Sequence, residues 1–336
     1  MKLKELGEFG FIDRIKVDAL SRLEEDLVGI GDDCALFQVS QGRSILLTTD
    51  MLVERVHFLL DKMTLFQLGY KALAVNLSDI AASGGIAREA FISIAVPEKI
   101  EVADLEDIYR GMKALAVKYD VNITGGDTTG SFIDLVINIA VTGEIEKEQA
   151  LYRNGARAGD LICVTGNLGD SATGLDILLN HPELKSDFES LVSQHLTPEP
   201  HLKQGRLIAK SKLASAMMDI SDGLASDIRH ICKASGVGAE IEIEQLPLSR
   251  DYQKYAHEHL NDPLKTALGV GEDYCLLVTL KRSNYDALSR EMSANGYVLH
   301  AVGKITDSRE ITLKHPDGRT EQLQWGGWDH FKEKDV

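Results

Sequence analysis

Apolar runs that end in short acidic turns recur along this chain, and that rhythm restricts the fold more than any other feature. Ile45-Leu46-Leu47 runs into Thr48-Thr49-Asp50. Further acidic turns are Gly31-Asp32-Asp33-Cys34, Asn76-Leu77-Ser78-Asp79, Gly125-Gly126-Asp127-Thr128 and Met218-Asp219-Ile220-Ser221-Asp222-Gly223. Segments of helical period separate them. Met63 to Ala82 spaces Leu65, Leu68, Leu73, Val75 and Leu77 along one helix, with Asp79 near its end, and Gly84-Gly85 is a natural stop. Val102 to Tyr119 repeats the pattern with Leu105, Ile108, Met112, Leu115 and Ala116.

Strands are expected over Arg43 to Asp50, with Ile45, Leu46 and Leu47 buried, and over Glu89 to Val96 and Asp134 to Gly143. In the second half they are expected over Asp160 to Val164, Ala216 to Ile220, Ala239 to Ile243, Asp273 to Leu280 and Tyr297 to Ile305. Helices are expected over Asp170 to Leu179, after Pro198 and Pro200 as far as Ala214, over Leu224 to Ala234 and over Ser283 to Ser293. A hairpin is expected around Asp317-Gly318. Residues 1 to 28 read as a short helical entry. Such alternation predicts an α/β or α+β fold. The charge run Glu144 to Glu148 reads as a solvated surface, and the domain boundary is placed there, giving 1–147 and 148–336.

A length of 336 residues suits one large or two medium domains. A net charge of −16 argues against a general affinity for nucleic acid or anionic membrane. It leaves phosphate ligands open, because bound metal reverses the local sign. Cys34, Cys163, Cys232 and Cys275 form no CxxC pair and no zinc spacing, so reduced thiols and a cytoplasmic setting are expected. Met1 to Lys16 has no signal-peptide core, and no apolar run approaches the roughly 20 residues needed to span a bilayer.

Oxygen-rich turns with aspartate beside Ser, Thr or Gly suit hard cations such as magnesium. If the carboxylates converge, divalent ions offset their repulsion; if they do not, each is an ordinary cap or turn residue. The turns at Gly125–Thr128, Thr165–Gly169 and Ser221–Gly223 offer backbone N–H groups to phosphate, or are simply tight turns. Neither a P-loop nor a Gly-x-Gly-x-x-Gly fingerprint is present. Arg153 could reach a phosphate or remain a surface arginine. His57 could touch a ligand, and Glu272-Asp273 could serve a cationic group or start a strand. No Ser/His/Asp or Cys/His constellation is evident. A phosphate acceptor needs none, since its second pKa is about 6 and it is already largely ionised at neutral pH.

Taken in order, these motifs resemble the thiamine-monophosphate kinase family, in a superfamily with aminoimidazole ribonucleotide synthetase and selenophosphate synthetase. The resemblance runs from Gly7-Glu8-Phe9 to Trp328-Asp329-His330-Phe331. It is carried by Gly29–Ala35, Thr48-Thr49-Asp50 with His57-Phe58, Lys71–Asp79, Gly125–Thr128, Asp219–Leu224 and Gly271–Tyr274. It implies phosphorylation of thiamine monophosphate to thiamine diphosphate, with ATP as co-substrate and several Mg2+ ions. It also implies a homodimer whose N-terminal domains share a β-barrel, and a C-terminal α/β domain that covers nucleotide and substrate. By motif, Asp33, Thr48, Thr49, Asp50, Asp79, Asp127, Asp219 and Asp222 become the expected metal set. Tyr109, Gly126, Asp127, Arg153 and Ser221 become expected ATP contacts, and His57, Glu272 and Trp328 expected substrate contacts. The chain departs from the family pattern at Ser83–Arg88, Val270 and Cys275. Two other readings stay open: a sister ATP-dependent synthetase acting on another small substrate, and a non-catalytic sensor of nucleotide and thiamine phosphates.

Overall fold

The structure, a computed structural model, describes residues 14–15, 17–21 and 39–325. The Gly31-Asp32-Asp33 turn, Trp328 and most of the expected helical entry lie outside the described residues. The chain divides into two units: Met1–Ile80 with Gly85–Glu148, and Ala81–Gly84 with Gln149–Val336.

In the first unit, β1 (Arg43–Val53), α1 (Leu65–Ala82), β2 (Ile86–Pro97), α2 (Val102–Tyr119), β3 (Asn122–Ser131) and β4 (Val136–Glu146) follow one another. The strands form an open sheet in the order β1-β4-β2-β3. All neighbours are antiparallel except β2 and β3, which α2 joins as a parallel pair. Leu68, Leu73, Leu77 and Ile80 of α1 and Leu105, Ile108 and Met112 of α2 are buried, as are Ile92, Ile94, Ile137, Ile139 and Val141 of the sheet.

Among the described residues, helices cover one face of this sheet only, and that corrects the expected burial of β1. Alternate side chains of a strand point to opposite faces. Leu52 is buried, whereas Ile45, Leu47 and Met51, on the other face, are 54%, 71% and 54% exposed. The charge run is corrected too. Glu144 lies in β4 and is buried, accepting hydrogen bonds from Ser40 N–H (2.8 Å), Arg43 (3.1 Å) and Arg88 (3.2 Å).

The second unit runs through β5 (Asp160–Val164), α3 (Asp170–Asn180), α4 (Glu189–Leu196), α5 (Leu202–Ser211), β6 (Ala214–Asp219) and α6 (Leu224–Ser235). It continues with β7 (Gly238–Glu242), α7 (Arg250–His259), α8 (Pro263–Gly269), β8 (Leu276–Lys281), α9 (Tyr285–Ala294), β9 (His300–Thr306), β10 (Ile311–Lys314) and β11 (Thr320–Gln322). Its seven strands take the order β11-β10-β7-β9-β5-β8-β6, with β7 and β10 the parallel pair. Leu224, Ile228 and Ile231 of α6 join Ile162, Val164, Met218 and Leu277 of the sheet in one apolar cluster.

Three helices of this unit go unpredicted: α4, α7 and α8. The sequence of α4 is Glu-Ser-Leu-Val-Ser-Gln-His-Leu, too short and polar for a clear apolar period. In α7 the buried stripe is built on Tyr252 and Tyr255 rather than aliphatic residues. Only seven residues make up α8, which begins at Pro263 under an Asp262 cap.

Candidate functional site

Strand alternation puts Thr48 and Asp50 on the face of β1 that looks towards α1. One helical turn of α1 brings Asn76 and Asp79 to the same side. The Thr48 hydroxyl donates to the Asp79 carboxylate. The Asp50 N–H donates to the Asn76 side-chain oxygen at 3.0 Å, and the Asn76 amide in turn donates to Ala72 O at 3.1 Å. From β4, the Asn138 amide donates to Thr49 Oγ1 (3.0 Å) and to Asp50 O (3.2 Å). The Asp50 backbone is thus fixed from both sides while its carboxylate stands beside that of Asp79. Burial, and then the charge of Asp79, push the Asp50 carboxyl up from its ordinary 3.8 to about 6.

Asp127 does not join this corner. It lies on β3 in the register row Met51–Asn138–Ser93–Asp127, one residue out of phase with the row through Asp50, Ile139, Ile92 and Gly126. Its side chain therefore leaves the open face of the sheet. The expected glycine-rich turn at Gly125-Gly126-Asp127 is strand instead. A side chain is excluded at Gly126, because a Cβ there would lie 1.8 Å from Ile92 O. The bare backbone permits the close parallel pairing that turn chemistry had seemed to explain.

The remaining expected residues of this unit are placed as follows. His57 closes the turn after β1, accepting the Val53 N–H on Nδ1 at 3.0 Å, so its other ring nitrogen carries the proton when the ring is neutral. Tyr109 sits in the core on α2, and burial pushes its hydroxyl pKa up. Among the described residues no helix is long and apolar enough to cross a membrane.

In the second unit, β6 delivers buried Asp219 at its end, and the turn Ser221-Asp222-Gly223 leads into α6. Asp227, in the first turn of α6, accepts the Asp222 N–H at 3.2 Å. Burial first, then Asp219 and Asp222, push its carboxyl up to about 8. Its Oδ1 is buried without a hydrogen-bond partner. Asp227 escaped the sequence reading; the available signal was an acidic residue in the first turn of a helix that follows two aspartates. Arg153 is exposed, and both it and Asp222 act electrostatically on His230 of α6, so residues about 70 positions apart are neighbours here.

The Gly271–Tyr274 segment packs on that turn. Glu272 N–H donates to Ser221 O (2.8 Å) and Tyr274 N–H to Ile220 O (2.9 Å). Gly271, Glu272 and Tyr274 have φ of 85°, 58° and 49°, left-handed values that are costly for the two non-glycine residues. Asp273 is buried, and its carboxylate accepts the Gly169 N–H at 3.1 Å at the start of α3. The Thr165–Gly169 turn therefore gives that N–H to the protein's own carboxylate.

Among the described residues no group of three or more His, Cys, Asp or Glu side chains is placed to hold a metal ion. The Thr48–Asp50–Asp79 corner still fits a hard divalent cation. It offers two adjacent carboxylates and a hydroxyl, and a bound cation would offset the burial and the Asp79 repulsion that raise Asp50.

The family comparisons bear on the fold and the family. Residues 31–145 match the model of the AIR synthase related protein, N-terminal domain, and residues 157–316 that of the C-terminal domain. A two-domain AIR synthase-like α/β protein is thereby defined. At finer resolution, curated relatives carry the name thiamine-monophosphate kinase. The thiamine-monophosphate kinase of Aquifex aeolicus (strain VF5) is 38% identical over 332 residues, covering 98% of this chain and all of the relative. The crystal structure of thiamine-monophosphate kinase from Stenotrophomonas maltophilia K279a matches with a TM-score of 0.82 at 34% identity, covering 93% of this chain and 97% of that one. A structure described as AaThiL complexed with AMPPCP and TMP matches with a TM-score of 0.77 at 36% identity, covering 98% and 99%. The chain belongs to the thiamine-monophosphate kinase family.

Proposed function

We propose that this chain transfers the γ-phosphoryl group of ATP to thiamine monophosphate, giving thiamine diphosphate and ADP. The Thr48–Asp50–Asp79 corner carries the reading: two mutually repelling carboxylates held rigidly, in a chain whose relatives bear the kinase name. The relative complexed with AMPPCP and TMP supports the same pair of substrates.

The chemistry asks little of a general base. An oxygen of the acceptor phosphate forms the new bond to the γ-phosphorus, the bond to the β–γ bridging oxygen breaks, and ADP leaves. The protein's task is positioning and charge management. Magnesium ions would screen the repulsion between the two phosphate chains; the candidates to hold them are Thr48, Asp50 and Asp79 in the first unit and Asp219 and Asp222 in the second, with Asp33 outside the described residues and Thr49 and Asp127 on the other face of the sheet. Asn76 and Asn138 hold the Asp50 backbone in place for that role. In the second unit, Arg153 and Ser221 are the candidates for nucleotide phosphate. His57, Glu272 and Trp328 are the candidates for the acceptor, Trp328 because an aromatic face stacks on a cationic ring.

A second copy of the chain would cover the open face of the first unit's sheet. The exposed Ile45, Leu47 and Met51 favour a homodimer whose paired sheets close into a barrel.

The test is incubation with ATP, magnesium and thiamine monophosphate, with thiamine diphosphate separated by chromatography. Product is expected, and folded protein that forms none refutes the reading.

A further inference from the structure

The hydroxyl at the end of α6 makes all its hydrogen bonds to the loop that carries Arg153. Ser235 Oγ accepts the Gly155 N–H at 3.1 Å and the Ala156 N–H at 3.2 Å, and donates to Arg153 O at 3.5 Å. A serine hydroxyl has one proton and two lone pairs, so its whole capacity goes to this loop. The other side of the loop lies on β6, the edge strand of the sheet. There Met217 N–H donates to Tyr152 O at 2.9 Å. Gly155, at φ 118°, passes so close that a Cβ would lie 2.3 Å from Ser215 O. Ala156 is buried, while Arg153 is exposed between these anchors. The same helix starts at the Ser221-Asp222-Gly223 turn. His230, little more than one turn before Ser235, feels the charges of both Arg153 and Asp222. One helix thus runs from the turn to the loop, and Ser235 ties the loop to it.

We infer that Ser235 is a positioning residue for nucleotide binding: its hydroxyl latches the Arg153 loop to the helix that follows the Ser221-Asp222 turn. The inference rests on the reading of Arg153 as a nucleotide contact. The ligand chemistry is a nucleoside polyphosphate, with the guanidinium held in place for its phosphate oxygens. Without the hydroxyl, two backbone N–H groups lose their partner and the tie to α6 is gone.

The test compares Ser235→Ala, Ser235→Thr, Arg153→Ala and the double variant Ser235→Ala/Arg153→Ala. Calorimetry reads binding of the ATP analogue AMPPCP with magnesium and, separately, of thiamine monophosphate, so the result stands apart from turnover. Hydrogen exchange at the Gly155 and Ala156 amides reads the latch itself. Ser235→Ala should speed that exchange and weaken AMPPCP binding about tenfold, the size of two lost neutral hydrogen bonds, with thiamine monophosphate binding held within about twofold. Threonine keeps the hydroxyl, so Ser235→Thr should recover most of both losses. The double variant should bind AMPPCP little worse than Arg153→Ala. The role is overturned if exchange is unchanged in Ser235→Ala, or if AMPPCP binding is unchanged there while Arg153→Ala weakens it. Equal loss for both ligands, no recovery with threonine, or additive losses in the double variant overturn it too. AMPPCP binding unchanged in Arg153→Ala refutes the nucleotide contact itself, and the role of Ser235 with it.

Discussion

Replacing Asp50 with asparagine should make the metal-free protein more stable and the enzyme inactive, two effects of opposite sign from one charge. An ordinary aspartate carboxyl titrates near 3.8, while burial and then Asp79 push Asp50 up to about 6. At 1.36 kcal/mol per pH unit, keeping Asp50 ionised in the fold costs up to about 3 kcal/mol at neutral pH. The side chain is only partly buried, and solvent screening reduces this to roughly 2 kcal/mol. The sign follows from a folded-state pKa above the unfolded one. The contribution is harmless below about pH 4, grows as pH rises from about 4 to 6, and is constant above. Asparagine keeps the shape and carries no charge. Denaturation of chelator-treated wild type and Asp50→Asn should therefore show the variant more stable at pH 7, with the gain largely gone at pH 4. In the acceptor assay the variant should lose at least about a hundredfold in turnover, the scale of removing one electrostatic stabiliser. A variant less stable than wild type at pH 7, a gain that persists at pH 4, or wild-type turnover would each refute the account.

Two further outcomes follow from the first unit. Burial would raise the Glu144 carboxyl, but the Ser40 N–H, Arg88 and Arg43 outweigh it and hold it near 2. Its stabilisation, on the order of 2 kcal/mol after screening at the two arginines, is complete above its unfolded pKa and lost as pH falls towards 2. Glu144→Gln should lower the melting temperature at pH 7, with the gap to wild type narrowing in acid as seen by circular dichroism. Leu47→Asp puts a charge on the open face, where Leu47 is 71% exposed, so it should leave the fold intact. It should shift light-scattering mass from dimer to monomer, and an unchanged mass would refute the open face as the dimer surface.

The helices α1 and α2 were legible because a long amphipathic period is written locally. So were the strand positions of β1, β2, β4 and β5 and the Ser221–Gly223 turn after Asp219, whereas Thr48-Thr49-Asp50, expected as a turn, lies inside β1. Partnership was not legible. Leu46 and Leu47 are chemically alike, yet only the covering of one sheet face by helices separates an inward position from one 71% exposed. Asp50, Asp79 and Asp127 look equivalent as acidic motifs, yet strand register sets Asp127 on the opposite face of the sheet from Asp50. The charge run at Glu144 looks solvated until Arg43 and Arg88 are brought to it from about 101 and 56 residues away.

The ordered motifs alone therefore determined the fold class and the family resemblance, because both reside in residue type, spacing and local period. The tertiary structure decided which carboxylates face one another, why Asp50 is held above its ordinary pKa, and how Asp227 stands against Asp222. Those are matters of distance and burial between segments remote in sequence, and local pattern does not carry them.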